Sequence, residues 1–321
     1  MSKIVVVGSL NVDLTVEVPL LPAPGETVLG GPIRYSSGGK GGNQAAAAAR
    51  LSGPGVVHMV GVVGRDDHGE MLLRDLRRAN VDVSHVRTTD RAGTGLAMIC
   101  VDQEGENTIV VSPGANEHWT ETFVDTVPVA PGDVVVCQLE VPLATVRLVV
   151  ALARRVGARV ILNAAPPREL SPELLSGIAI LVVNETEAAH VLGGAPRSPE
   201  DLDETASALT CDVVVTLGSR GAYVRAAGRK TVRVEAFSVT AVSAVGSGDA
   251  FVGALACAVL AGLSIAEAVE RACAAGALAA TAEGARGGLP DRATLDAFVA
   301  RNLRRGASVG GARAGSGGVR G

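Results

Sequence analysis

Short runs of β-branched and aliphatic residues recur along this chain with almost no polar interruption: Ile4–Val7, Val57–Val63, Val134–Cys137, Arg159–Leu162, Ile180–Val183 and Val213–Leu217. A strand with one wet face alternates polar and apolar side chains, whereas a strand covered on both faces does not. Between these runs lie stretches of helical character, Asn43–Leu51, Gly69–Ala79, Leu143–Val156, Glu185–Leu192 and Pro199–Leu209. Strand–helix alternation predicts an α/β fold, a mostly parallel sheet with helices on both faces.

Two stretches depart from that rhythm. Residues 14–35 and 94–112 alternate polar and apolar residues and carry Gly and Pro, and Asp102-Gln103-Glu104-Gly105-Glu106 is a hairpin turn inside the second. They predict a small separate β-sheet, a lid on the main domain, whose apolar Leu96, Met98 and Val110 must cover a substrate or a second subunit. Residues 1–305 read as one domain. From Gly306 to Gly321 Gly, Ala, Ser and Arg dominate, a tail expected to be disordered.

Composition narrows the function. The 321 residues carry a net charge of −4 and 47% hydrophobic residues. No basic stripe suggests nucleic acid, and no cationic amphipathic segment suggests a membrane. Cys100, Cys137, Cys211, Cys257 and Cys273 lie in apolar surroundings without a Cys-x-x-Cys pair, as buried thiols of a reducing compartment do. Met1-Ser2-Lys3 runs straight into a strand, so no signal peptide is expected and the location is read as cytoplasmic. The five histidines show no metal-ligand spacing.

Gly246-Ser247-Gly248-Asp249 follows the extended apolar run Val239–Val245 and opens an Ala-rich helix, Ala250–Leu260. A small-residue turn at a helix start aims unpaired N–H groups outward, which suits an anion. A carboxylate repels phosphate, so Asp249 makes sense as a base that takes a proton from a hydroxyl attacking phosphorus. Base and anion cradle together outline a phosphotransferase.

The other motifs each admit a plain structural reading as well. Gly38-Gly39-Lys40-Gly41-Gly42-Asn43-Gln44 lacks the Ser/Thr of a P-loop and the third glycine of a dinucleotide fingerprint. It remains either a helix-start turn or a backbone loop open to a small ligand, with Lys40 and Asn43 as donors. Asn11 and Asp13, after the first strand, share one face and suit a polyol, or form an Asx turn. Asn184-Glu185-Thr186-Glu187 places acids in a first helical turn, where the dipole alone explains them. In the functional reading Asn184 meets nucleotide phosphate and Glu187 a water-coordinated magnesium. Thr216-Leu217-Gly218-Ser219-Arg220-Gly221 is a hairpin-like turn that could line a nucleotide, and its spacing excludes a nucleophile elbow. All these motifs follow strands or open helices, and a parallel sheet brings such positions to one edge.

In order, from residue 3 to about 303, these motifs and Pro24-Gly25-Glu26-Thr27 resemble the ribokinase-like sugar kinases, the phosphofructokinase-B family. The resemblance implies a Rossmann-like domain with a β lid, and ATP- and magnesium-dependent phosphorylation of a sugar hydroxyl, the 5-hydroxyl of D-ribose first among acceptors. It implies a homodimer clasped through the lids. It places Asn11, Val12, Asp13, Gly39, Lys40, Gly41, Gly42, Asn43 and Glu140 on the sugar. It places Asn184, Thr216, Leu217, Gly218, Ser219, Arg220, Gly221, Gly248 and Cys273 on ATP. Gly246, Ser247 and Gly248 would form the anion hole and Asp249 the base. The family's monovalent-cation site maps onto Ser243, Val245, Ala279, Ala282, Gly284 and Gly288. Here Ser243-Ala244 replaces the usual Asp-Thr and Gly288 a common Ser, so loss of a hard anionic ligand is expected to weaken potassium binding. Competing readings are a kinase for a nucleoside, fructose or a sugar phosphate, and a non-catalytic sugar or nucleotide sensor.

Overall fold

The computed structural model describes residues 2–312. The strands are β1 (Ile4–Val7), β2 (Asn11–Glu17), β3 (Arg34–Gly38), β4 (Val57–Gly64), β5 (Asp82–Thr89), β6 (Gly95–Val101), β7 (Asn107–Ser112), β8 (Val134–Cys137), β9 (Arg159–Asn163), β10 (Ile180–Asn184), β11 (Asp212–Thr216), β12 (Ala222–Arg225) and β13 (Val232–Val234). The helices are α1 (Lys40–Ser52), α2 (Asp67–Arg78), α3 (Glu121–Val124), α4 (Leu143–Val156), α5 (Pro172–Ser176), α6 (Glu185–Val191), α7 (Pro199–Thr205), α8 (Ser247–Leu260), α9 (Ile265–Ala279) and α10 (Arg292–Ala312).

The expected α/β architecture is present. Nine strands form one sheet in the order β13-β12-β11-β10-β9-β8-β1-β4-β5. It is parallel from β11 to β5, with β12 and β13 antiparallel at one edge. The apolar runs read from the sequence are its central strands, buried on both faces between two hydrophobic cores. From β1 the chain winds outward through β4 and β5, then returns to β8 and winds the other way. The crevice beyond the carboxyl ends of β1 and β8 is therefore a topological switch point, where open α/β sheets bind ligands.

The lid is a second sheet, in the order β3-β2-β6-β7. Its register fixes which face each row of side chains takes. Asp13 pairs with Ser36 and Ala97, and Ala97 with Val111, so these share a face. Leu14, Tyr35, Met98 and Val110 form the next row, on the opposite face. Tyr35 on that side approaches His68 of α2. Apolar Met98 and Val110 thus point away from the Asp13 side. Both are about half exposed.

Three further differences concern boundaries. Val239–Val245 forms no strand, and an irregular segment leads into α8. β5, too polar to stand out in the sequence, adds an edge strand. α10 runs on to Ala312, beyond residue 305, and residues 313–321 of the expected tail lie outside the described residues.

Small residues allow α1 and α8 to meet closely. A Cβ added at Gly253 would lie 2.6 Å from Ala47 Cβ, 2.8 Å from Ala48 N and 3.0 Å from Gln44 O. Two of those atoms are backbone and cannot swing aside. Gly253→Ala should destabilise the protein by about 1–3 kcal/mol. It should also lower turnover, because Asp249 lies one turn earlier on the displaced helix. Thermal melting and steady-state rates check this, and a variant that melts and turns over like the parent would show the contact to be slack.

Candidate active site

α1 begins at Lys40, so the glycine-rich motif is the helix's own first turn, with Gly39 (φ 81°) just before it. Gly39 and Gly41 allow close approach of another backbone. A Cβ on Gly41 would come within 2.7 Å of Gly8 C, Ser9 N and Ser9 O. That contact presses α1 against the β1–β2 turn and brings Ser9, Lys40 N and Glu140 together. Ser9 Oγ donates to Glu140 Oε2 at 2.5 Å, and Lys40 N donates to the same oxygen at 2.9 Å. Asn116, absent from the sequence-derived set, holds the turn: its Oδ1 accepts from Leu10 N at 2.9 Å and its Nδ2 donates to Asn11 Oδ1 at 2.7 Å. Asn11 and Asp13 share a face as expected. Val12 points the other way and its side chain is wholly buried in the core, not on a ligand.

Asp249 sits in the first turn of α8 facing this cluster. Its Oδ2 accepts from Asn43 Nδ2 at 3.1 Å and its Oδ1 from Gln44 Nε2 at 3.0 Å. Gln44 is itself oriented: Gln138 Nε2 donates to its Oε1 at 2.6 Å, and its Nε2 also reaches Asn163 Oδ1 at 3.0 Å. Burial pushes the Asp249 carboxyl above its usual range, while Lys40 and the two amide donors pull it back. Asp13 is raised to about 6, first by burial, then by Glu140, with Arg286 opposing and Asp249 adding to the rise. Two carboxyls in one half-buried site with raised pKa values mark a place where charge is held for use.

The turn before Asp249 is left-handed at Gly246 (φ 78°), and a side chain there would collide with the backbone of Ala285. Ser247 N is not a free donor, since it bonds Ala244 O at 3.2 Å. The amides of Gly246, Gly248 and Asp249 have no partner among the described residues, so of the expected 246–248 set only Ser247 N is otherwise engaged.

Beside them opens a cavity of about 470 Å³ lined by Thr216, Gly218, Ser219, Gly221, Gly248 and Cys273, all in the ATP set. Its apolar walls, Phe237, Val239 and Phe251, were not singled out in the sequence. Three of the expected ATP residues do not line it. Asn184 and Glu187 form a capping box on α6, each side chain accepting from the other's backbone N–H at 2.8 Å. Arg220 pairs with Glu185 at 2.6 Å in solvent. Leu217 is buried in the core.

Metal donors are sparse. Among the described residues no group of three His, Cys, Asp or Glu could hold an ion. Glu187, raised by burial and opposed by Asn184 N and Lys40, lends one of its two oxygens to the cap. The 243–288 set offers only a hydroxyl and backbone carbonyls. Ser243 Oγ accepts from Val245 N at 3.3 Å, and Gly288 packs on the Ala279 carbonyl. The set holds no carboxylate, the hard anionic ligand whose loss was expected to weaken potassium binding.

Such a site, an acid between a polar crevice and a helix amide turn, defines a small-molecule phosphotransferase. Residues 1–292 match the pfkB family carbohydrate kinases, and the chain belongs to that family. It is 37% identical to the ribokinase of Schizosaccharomyces pombe over 309 residues, covering 92% of this chain and 97% of the relative. It is 36% identical to that of Haemophilus influenzae, over 89% and 95%. In structure it resembles Arabidopsis thaliana ribokinase complexed with ribose and ATP, with TM-score 0.84 and 31% identity over 93% and 99% of the chains.

Proposed function

We propose that the protein transfers the γ-phosphoryl group of ATP to the 5-hydroxyl of D-ribose. The observation that carries this is Asp249, held by two side-chain amides between the polar crevice of Asp13, Asn43 and Glu140 and the free amides of Gly248 and itself. Sugar hydroxyls donate to Asp13 and Glu140. Asp249 takes the proton of the attacking hydroxyl, whose oxygen bonds to the γ-phosphorus as the bond to the β–γ bridging oxygen breaks and ADP departs. The Gly248 and Asp249 amides face the migrating group and oppose its negative charge. Glu187, through the oxygen its cap leaves open, is the residue that would hold magnesium through water, and the ion would supply further neutralisation of the phosphates.

A nucleoside acceptor lacks support. Tyr35 stands on the lid face away from Asp13, and Trp119 stacks on Phe123. The half-exposed apolar lid residues Met98, Ile109, Val110 and Val111 support a second copy of this chain as the lid's partner. Five free cysteines fit a reducing, cytoplasmic setting, and no described helix is long and apolar enough to cross a membrane.

ADP release measured over D-ribose, deoxyribose, fructose, fructose 6-phosphate and nucleosides should give the highest kcat/KM with ribose. Exchanging sodium for potassium should change the rate little. Faster turnover of another acceptor would displace ribose, and binding of ribose and ATP without ADP release would indicate a sensor.

A further inference from the structure

The loop between α9 and α10 brings Arg286 into the site, a residue with no motif around it. Its Nε donates to Asn43 Oδ1 at 2.9 Å. Asn43 in turn donates from Nδ2 to Asp249 Oδ2 at 3.1 Å. A guanidinium only donates and an ionised carboxylate only accepts, so an amide between the two has a single consistent orientation. Gln138 performs the same service for Gln44 on the other carboxylate oxygen. Arg286 Nη2 is buried with no partner among the described residues, packed where a Cβ on Gly42 would meet it at 2.8 Å. Its charge is therefore not cancelled by a direct ion pair. Burial draws it down to about 10, with Asp75, Asp249 and Asp13 acting the other way, and it stays protonated at neutral pH.

The charged and polar groups facing Asp249 come from four other elements. Lys40, Asn43 and Gln44 project from α1, Glu140 follows β8, Asp13 lies on β2 and Arg286 on the loop after α9. Asp13 and Glu140 favour a protonated, inert Asp249. Among the described residues Lys40 supplies the larger positive charge against them and Arg286 adds to it; the Lys40 side-chain nitrogen makes no hydrogen bond among those residues, whereas Arg286 is fixed on Asn43.

We propose that Arg286 is a positioning residue of the base: through Asn43 it fixes the amide that holds Asp249, and its charge keeps that carboxylate ionised, ready to accept the acceptor's proton. It touches no reacting atom. The inference rests on Asp249 acting as the base.

The test is the pH profile of kcat at saturating ribose and ATP for the full chain, with Arg286→Met, Arg286→Lys and Arg286→Gln compared with the parent. Removing the cation should move the acid limb up by about one pH unit, and turnover on its acid side should fall about tenfold. Arg286→Lys, which keeps the charge, should hold the limb near its original place. Ribose KM should rise as well, because Arg286 also fixes Asn43 in the sugar crevice, so the displaced acid limb of kcat is the readout that a purely structural role would not move. The profile of Asp13→Asn identifies the limb: it persists, moved towards lower pH, if it belongs to Asp249, and is lost if it belongs to Asp13. A folded Arg286→Met with an unmoved limb would reduce Arg286 to packing. Should the methionine variant misfold, an unmoved limb in Arg286→Gln would do the same. Full turnover by Asp249→Asn would instead remove the base itself, which separates failure of the underlying reading from failure of this one.

Discussion

Asp249→Asn should lower turnover by about 10²- to 10⁴-fold, the usual worth of a general base, while leaving ribose binding measurable. The substituted amide cannot take up the hydroxyl proton. It also presents N–H groups where a carboxylate oxygen accepted from Asn43 or Gln44, so one of those two hydrogen bonds must be given up. The crevice of Asn11, Asp13 and Glu140 is built on β2 and on the turns after β1 and β8, away from α8, and it should survive. Initial rates of ADP formation beside calorimetric ribose binding separate the two effects. A variant with near-parental rates would end the assignment of Asp249.

Asp13→Asn should have the opposite balance, a loss of affinity joined to a gain in stability. Asp13 titrates near 6 in the folded chain against an ordinary 3.8, because burial and Glu140 disfavour its charge. A carboxyl raised on folding binds more protons in the folded state, so folding weakens as pH climbs from about 4 to about 6, and the full penalty is present above that window. A rise of about two units corresponds to an upper bound of about 3 kcal/mol. The neutral variant should therefore unfold at higher denaturant than the parent at pH 7, and the gap should close as pH falls towards 4. Its ribose affinity should drop about ten- to a hundredfold, since a hydrogen bond to a charged group contributes about 1.5–3 kcal/mol. Denaturant melts at pH 4 and 7 with ribose titrations check both halves. A stability gap that does not depend on pH would mean the carboxylate is not strained in the free protein.

These two expectations show how a binding site is held against the interests of the fold. Asp13, Glu140 and Asp249 crowd together where none is neutralised by a direct ion pair. Bringing them together weakens the free protein, and a bound polyol with several hydroxyl donors would relieve it. The same crowding is what the buried charge of Arg286 faces, although nothing around it in the chain announces a function.

Much of this was legible in the residues alone. Short continuous β-branched runs alternating with helical stretches read as strands covered on both faces, so the parallel sheet followed from local composition and order. Motifs after those strands had to gather at one edge, which placed Asp13, Asn43, Asp249 and the Thr216–Gly221 turn in one crevice. Local signals could not say which side of a motif faces the ligand. The lid shows this: a strand's alternation reveals two faces, but cross-strand register put Ala97 and Val111 beside Asp13 and turned Met98 and Val110 away. Nor could they separate glycines that admit a ligand from those that admit another backbone, as Gly41 does against Ser9. Arg286 and Asn116 act across 243 and 105 residues of chain, and pairing at that separation leaves no mark on either neighbourhood. The residue types and their order thus determined the fold and the chemistry, because both depend on short-range pattern. The tertiary structure alone decided which charges meet, because that depends on how distant helices and loops pack.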